Sequence, residues 1–290
     1  MSRRHLVMLL ALAAIWGSSF MLIEIALRDL DPATLILLRL GSAALALAVY
    51  VPLAGMSFGA LRPFVWPLAL MGLLNTALPF YLITWGQQYI DSGLAAILNA
   101  SAPLFTAVLA VAVDQGQRVT GLRLAGVIIG FGGIVALVGF EPEGGDRAVL
   151  GSLAVVVASA CYALGALYAG RRFAGSSPLL VAFGTLAWAT LLTLPPGLAA
   201  ASSFGWETLV SVLFLGVAAT AVGYLLYFGL IAGAGASRAI LVTYLVPSMA
   251  LVYGAVFLDE QVSTLALLGL ALVLAGVALG TRRAPVASSA

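Results

Sequence analysis

Ten apolar runs of about twenty residues fill almost all of this 290-residue chain. They cover 6–26, 33–53, 65–86, 92–113, 121–139, 149–169, 178–198, 208–231, 237–258 and 263–281. Each is close to the roughly 20 residues that a helix needs to cross about 30 Å of hydrocarbon. Backbone polar groups in lipid must bond among themselves, and long continuous apolar runs do this as helices. Composition agrees, with 63% hydrophobic and 8% charged residues, against about a quarter charged in soluble domains. Arg3-Arg4 before an apolar run imitates a signal peptide, but the run continues to Ala26 and nine more follow, so it reads as a membrane helix.

The expected class is therefore an all-α integral membrane protein with ten transmembrane helices. An even count puts both termini on one side. That side carries ten arginines: Arg3, Arg4, Arg62, Arg118, Arg123, Arg171, Arg172, Arg238, Arg282 and Arg283. The other side carries two, Arg28 and Arg147. By the positive-inside rule both termini are expected in the cytoplasm.

An internal repeat constrains the topology further. Gly72–Pro103 returns 144 residues later as Gly216–Pro247, pairing Gly72 with Gly216, Thr76 with Thr220, Ala95 with Ala239 and Pro103 with Pro247. Pro32 and Pro178 match at 146, Gly126 and Gly269 at 143. Constant spacing of small and proline residues is the mark of a structural repeat. The polar loop Glu141-Pro-Glu-Gly-Gly-Asp-Arg147 separates five runs from five. Because five is odd, the copies, 6–140 and 149–283, are expected to cross in opposite senses as an inverted repeat. Glycines four apart, Gly126/Gly130 and Gly276/Gly280, permit close helix approach, within the bundle or at a dimer seam. Monomer and dimer both stay open.

Prolines mark the candidate site. A mid-helix proline orphans the carbonyl four residues earlier, which in lipid needs another partner or a cavity. Those residues are Asn75 before Pro79, Asn99 before Pro103 and Thr243 before Pro247. Each pair either tolerates a kink or lines a shared polar cavity. Gly72, Asn75, Thr76, Pro79 and Ile83 share a stripe with a counterpart of Gly216, Ala219, Thr220, Gly223 and Tyr227; such stripes pack tightly or bound open volume, and the polar neighbours favour volume. Trp16 and its counterpart Tyr162, with Tyr227 and Tyr244, complete the expected substrate-binding set. Two charges enter the runs, Glu24 and Arg39, expected as a gating or structural ion pair.

Other functions lack their chemistry. One cysteine, Cys161, and one histidine, His5, supply no Cys/His metal cluster, no intrachain disulfide and no catalytic constellation. No phosphate loop or basic–aromatic tract points to a cofactor or nucleic acid. A non-transporting receptor or scaffold stays as the alternative class.

Trp16-Gly-Ser-Ser-Phe20, Pro32 with Arg39, the mid-helix Pro103 and Pro247, and Phe257-Leu-Asp-Glu260 together resemble the EamA family of the drug/metabolite transporter superfamily, over nearly the whole chain. The first copy departs, with Val113-Asp-Gln-Gly-Gln117 where the second has Leu-Asp-Glu. The resemblance implies metabolite export across the bacterial inner membrane by alternating access, without cofactor, and is greatest to exporters of the YddG type, which implies an amino-acid substrate. The residues themselves, with no Asp, Glu or His at mid-depth, predict a neutral, apolar or aromatic zwitterion moving down its own gradient.

Overall fold

The computed structural model describes residues 2–113, 120–140, 145–200 and 203–280. Arg118, Arg282, Arg283, the 141–144 part of the central loop and the divergent 114–117 segment lie outside them. The described residues form helical rods and no strand. In order these are α1 (Arg3–Ala26), α2 (Pro32–Leu53), α3 (Phe58–Gly86), α4 (92–113), α5 (Leu122–Phe140), α6 (Asp146–Arg172), α7 (Pro178–Ala199), α8 (Trp206–Ala234), α9 (Val242–Phe257) and α10 (Thr264–Gly280). Eight, α1 to α8, are long and apolar enough to cross a membrane; α9 and α10 are shorter apolar helices.

Local chemistry sets the helix starts. Asp31 caps α2, accepting from the Ala33 and Thr34 N–H groups at 2.8 and 3.3 Å, while Pro32 occupies the first turn, where its missing N–H costs nothing. Pro178 opens α7 in the same way. Inside the rods, the proline and glycine positions bring irregularities. α3 widens into a π-helical turn at Leu73–Ala77, just before Pro79, and α8 does so at Phe214–Val222. At the 144-residue spacing the first turn maps to 217–221, inside the second. α4 breaks at Ala100 and Ser101, just before Pro103.

The main packing pairs are α1 with α8 and α9, α6 with α3 and α4, α2 with α7 and α8, α7 with α3, α4 with α9, and α5 with α10. Replacing each helix by the one five places away leaves this pattern unchanged. The glycines of α5 and α10 face each other: a Cβ on Gly126 would come within 2.8 Å of the Gly276 carbonyl oxygen, and one on Gly133 within 2.9 Å of Leu272 Cβ. They serve packing within the bundle, one of the two readings of their spacing.

Contacts sort the chain onto two ends. At the terminal end, Gly233 abuts His5, Arg123 Nε donates to the Gly280 carbonyl at 3.4 Å, and Phe64 lies 5.6 Å from Phe173. At the far end, Asp29 accepts from Gly205 N–H and Thr208 Oγ1 at 3.0 and 2.6 Å. Gln87 Nε2 there donates to the Phe20 carbonyl at 3.0 Å, and Thr34 Oγ1 to the Gly197 carbonyl at 2.9 Å. One continuous apolar core joins all ten helices. At the terminal end two further cores stand apart from it: Leu9, Leu12, Leu230 and Val242 of α1, α8 and α9, and Leu68, Met71 and Phe173 beside α3, α6 and α7.

Candidate functional site

The bundle encloses a cavity of about 630 Å³. Its lining extends from Ile23, Ile83 and Ala96, close to the far ends of α1, α3 and α4, to Ala110, Arg123 and Gly280 at the terminal end. Both halves of the chain line it.

The walls are fixed by the irregular turns. Trp16 lies over Gly223, where a Cβ would stand 2.6 Å from its Nε1, and that Nε1 donates to the Ala219 carbonyl at 2.9 Å within the widened turn of α8. Tyr227 packs on the same indole at 5.5 Å. On the opposite wall Tyr162 meets Phe80 edge-on at 6.4 Å. In α4, the break leaves the Asn99 carbonyl within 3.3 Å of Ser159 Oγ on α6. That hydroxyl is also 3.3 Å from the Leu98 carbonyl. The group that Pro103 orphans thus finds a partner on a helix of the other half, as lipid burial requires.

Of the expected substrate-binding residues, Trp16, Asn75, Asn99, Pro103, Tyr162, Tyr227, Thr243 and Pro247 line the cavity. Pro79 is buried beside it, and Tyr244 packs against the main core instead. The small-residue stripes are largely packing, not open volume. A Cβ on Gly72 would meet the Thr185 carbonyl oxygen at 2.9 Å, and one on Gly216 the Arg39 carbonyl oxygen at 2.5 Å. Asn75, Ile83, Ala219, Thr220 and Tyr227 of those stripes reach the cavity.

The expected Glu24–Arg39 ion pair does not form. Arg39 turns inward: it is 8% exposed, its Nε donates to Thr220 Oγ1 at 3.2 Å, and its guanidinium lies 4.3 Å from the centre of the Phe80 ring. Thr220 Oγ1 in turn donates to the Leu215 carbonyl at 2.8 Å, which pins it in the widened turn. Glu24 lies instead within electrostatic reach of Glu260, Asp91 and Arg28. Its Oε2 is buried without a hydrogen-bond partner.

Glu260 gives the acidic turn after α9 a physical role. Asp259 adopts the left-handed conformation, φ 58°, which swings the Glu260 carboxylate onto the start of α4. There it accepts from the Ser92 and Gly93 N–H groups at 2.9 and 3.1 Å. An anion at a helix N-terminus satisfies orphan donors and complements the helix dipole. Gly254 leaves room, since a Cβ there would come 2.9 Å from the carboxyl carbon.

Thr220 was expected on the small-residue stripe, whereas Phe80 and Tyr224 were not in the expected substrate-binding set. Phe80 and Tyr224 are 144 residues apart, so the repeat itself pairs two aromatic positions on the cavity. Ser159 carried no sequence signal beyond being a serine in an apolar run.

The comparisons with known proteins agree with this architecture. The model of the EamA-like transporter family matches residues 3–139 and again 149–282. A protein of Streptantibioticus cattleyicolor named "Probable terminal-alkyne amino-acid exporter" is 32% identical, over 92% of this chain and 90% of its own. The "Probable amino-acid metabolite efflux pump" of Escherichia coli (strain K12) is 26% identical, over 96% and 94%. The "Uncharacterized inner membrane transporter YedA" of the same organism is 29% identical, over 94% and 89%. A solved structure described only as "Crystal structure of protein" shares the fold at a TM-score of 0.68, with 20% identity and coverage of 97% and 98%. With its membrane-length helices and both halves matched, this chain belongs to the EamA-like transporter family and is a multi-pass protein of the bacterial inner membrane.

Proposed function

We propose that the protein exports small apolar or aromatic amino acids by alternating access through the central cavity, between two inverted five-helix repeats. The observation that carries this reading is the cavity itself: residues of both halves line it, and its volume falls in the ordinary range for small-molecule sites. Ten helices cross the bilayer, and both termini face the cytoplasm, following the ten-to-two distribution of arginines. The terminal end is then the cytoplasmic one, and the conformation described is open inward, ready to load. Trp16, Tyr162 and Tyr227 receive the side chain; Asn75, Asn99 and Thr243 offer neutral polar contacts. Among the described residues no Asp, Glu, His or Lys lines the cavity, which favours movement down the substrate's own gradient.

One expectation changes. The cavity does hold full charge, because Arg39 and Arg123 both line it. Exclusion of cationic substrates follows more firmly, while exclusion of acidic ones no longer rests on an uncharged wall. Counterflow of labelled phenylalanine in proteoliposomes, with and without a pH gradient, tests the reading. Saturable exchange unaffected by the gradient is expected. Uphill accumulation driven by protons contradicts the facilitator, and absence of flux for all apolar and aromatic amino acids contradicts the substrate class.

A further inference from the structure

Arg39 is a buried cation without an anionic partner among the described residues. Its hydrogen bond to Thr220 is its one bond among them, made through Nε, and its face is covered by Phe80. The two terminal nitrogens of the fork are absent from the sealed, unpartnered atoms, and the side chain lines the cavity. The fork is therefore held by its stem and its face, with its tip free for a ligand. The Tyr162 and Tyr224 hydroxyls lie within electrostatic reach of it, and both residues line the cavity. The second charged group of the cavity, Arg123 near its mouth, has the same sign. No acidic side chain among the described lining residues is available to hold an ammonium group. Charged groups at membrane depth are costly and mark substrate paths, and a planar guanidinium matches a carboxylate in two parallel bonds.

We propose that Arg39 is the seat for the substrate's carboxylate, and that the site reads the carboxylate, not the amine. This rests on the reading of the cavity as a substrate site. The ligand class is a monocarboxylate with a bulky apolar tail. A single carboxylate neutralises Arg39, whereas a zwitterion adds an ammonium group that finds only neutral partners, such as the Asn75 and Asn99 amides. The α-amino group is tolerated and is not required.

The test uses the whole purified protein in detergent and four probes: phenylalanine, 3-phenylpropanoate, phenylalanine methyl ester and phenethylamine. A ligand that binds the folded state raises the melting temperature according to its affinity. Phenylalanine and 3-phenylpropanoate are expected to stabilise at similar concentrations, within about threefold, with the ester and the amine at least about tenfold weaker, the ratio worth about 1.4 kcal/mol. Arg39→Lys keeps the charge but loses the fork, and is expected to weaken both acids about tenfold without changing the response to the amine. Should that variant fold poorly, the four-probe series on the unaltered protein decides alone. Amine or ester binding as tightly as the acids overturns the proposal, as does the absence of any response to 3-phenylpropanoate. Stabilisation by phenylalanine while 3-phenylpropanoate stays inert defeats the carboxylate seat and leaves the amino-acid reading standing. The reverse pattern, stabilisation by 3-phenylpropanoate without phenylalanine, defeats that reading and leaves the seat.

Discussion

The two ends of the bundle are held by different forces. At the far end, helices distant in sequence are tied by directed hydrogen bonds: Glu260 to the start of α4, Gln87 to the Phe20 carbonyl, Asp29 to Gly205 and Thr208. At the terminal end, two small apolar cores stand apart from the main one, with Arg123 to Gly280 a long bond of 3.4 Å. Hydrogen bonds to a charged group are worth about 1.5–3 kcal/mol each and are lost abruptly when geometry changes. Apolar contact in a lipid setting gains little over contact with acyl chains. An end closed by a few directed bonds opens as a unit, and an end closed by small separable cores reseals without a fixed register. That contrast suits a carrier whose two gates take turns.

Breaking the largest tie has the largest effect. Glu260→Ala removes the carboxylate from two N–H groups and is expected to weaken far-end closure by about 3 kcal/mol. A cysteine at Ile83 in a Cys161→Ala background then reacts with an impermeant maleimide from outside about a hundredfold faster, by the ratio of that energy to thermal energy. Unchanged labelling shows that Glu260 is no gate. Gln87→Leu deletes one neutral bond to Phe20, and the same assay is expected to read a change of about tenfold or less, for about 1 kcal/mol.

The cavity side is sharpened by Asn99→Ala. A transport role predicts loss of exchange per folded molecule with little change in melting, because the Asn99 backbone carbonyl keeps its contact with Ser159. A melting shift with intact exchange, on the scale of about 1 kcal/mol, assigns Asn99 to the kink alone. The smallest effect is the pH response of Asp29, outside the helices. Bonds from Thr208 and Gly205 hold its carboxyl below its ordinary value of 3.8. Its contribution to closure is present above that ordinary value and is lost as pH falls through the depressed one. The Asp29 part of far-end labelling is therefore expected to be flat from pH 7 to 5 and to rise only in more acidic buffer. Asp29→Asn is expected to remove that rise.

Most helices were legible because continuous hydrophobicity sets where a membrane helix can run, although the ninth run, 237–258, holds the shorter helix Val242–Phe257. The run 178–198 is the helix Pro178–Ala199, and 33–53 is Pro32–Leu53. The cavity was partly legible because prolines and repeat-related aromatics fix where a helix bends, which placed Trp16, Asn99 and Tyr162 together. What stayed hidden depends on which helices meet. Glu24 and Arg39 are neighbours in the chain, so a pair was expected. The helix rotations instead send Arg39 toward Thr220 on α8 and Glu24 toward Glu260 after α9. Ser159 and Gln87 act through partners 60 and 67 residues away, and local pattern carries no record of that pairing. The small-residue stripes were ambiguous for the same reason, since a glycine faces a neighbour or a void with the same spacing.

On the proposed reading, with the terminal end cytoplasmic and the cavity open toward it, the substrate path must be reachable from one side of the membrane alone. A single cysteine at Ala110, which lines the cavity near that end, in the Cys161→Ala background, tests this most directly. Impermeant maleimide is applied to inside-out vesicles and to intact cells, with and without phenylalanine. Rapid labelling is expected in the vesicles, slowed by phenylalanine, with protection in intact cells. Equal labelling from both sides, or labelling indifferent to the amino acid, contradicts a one-sided substrate path.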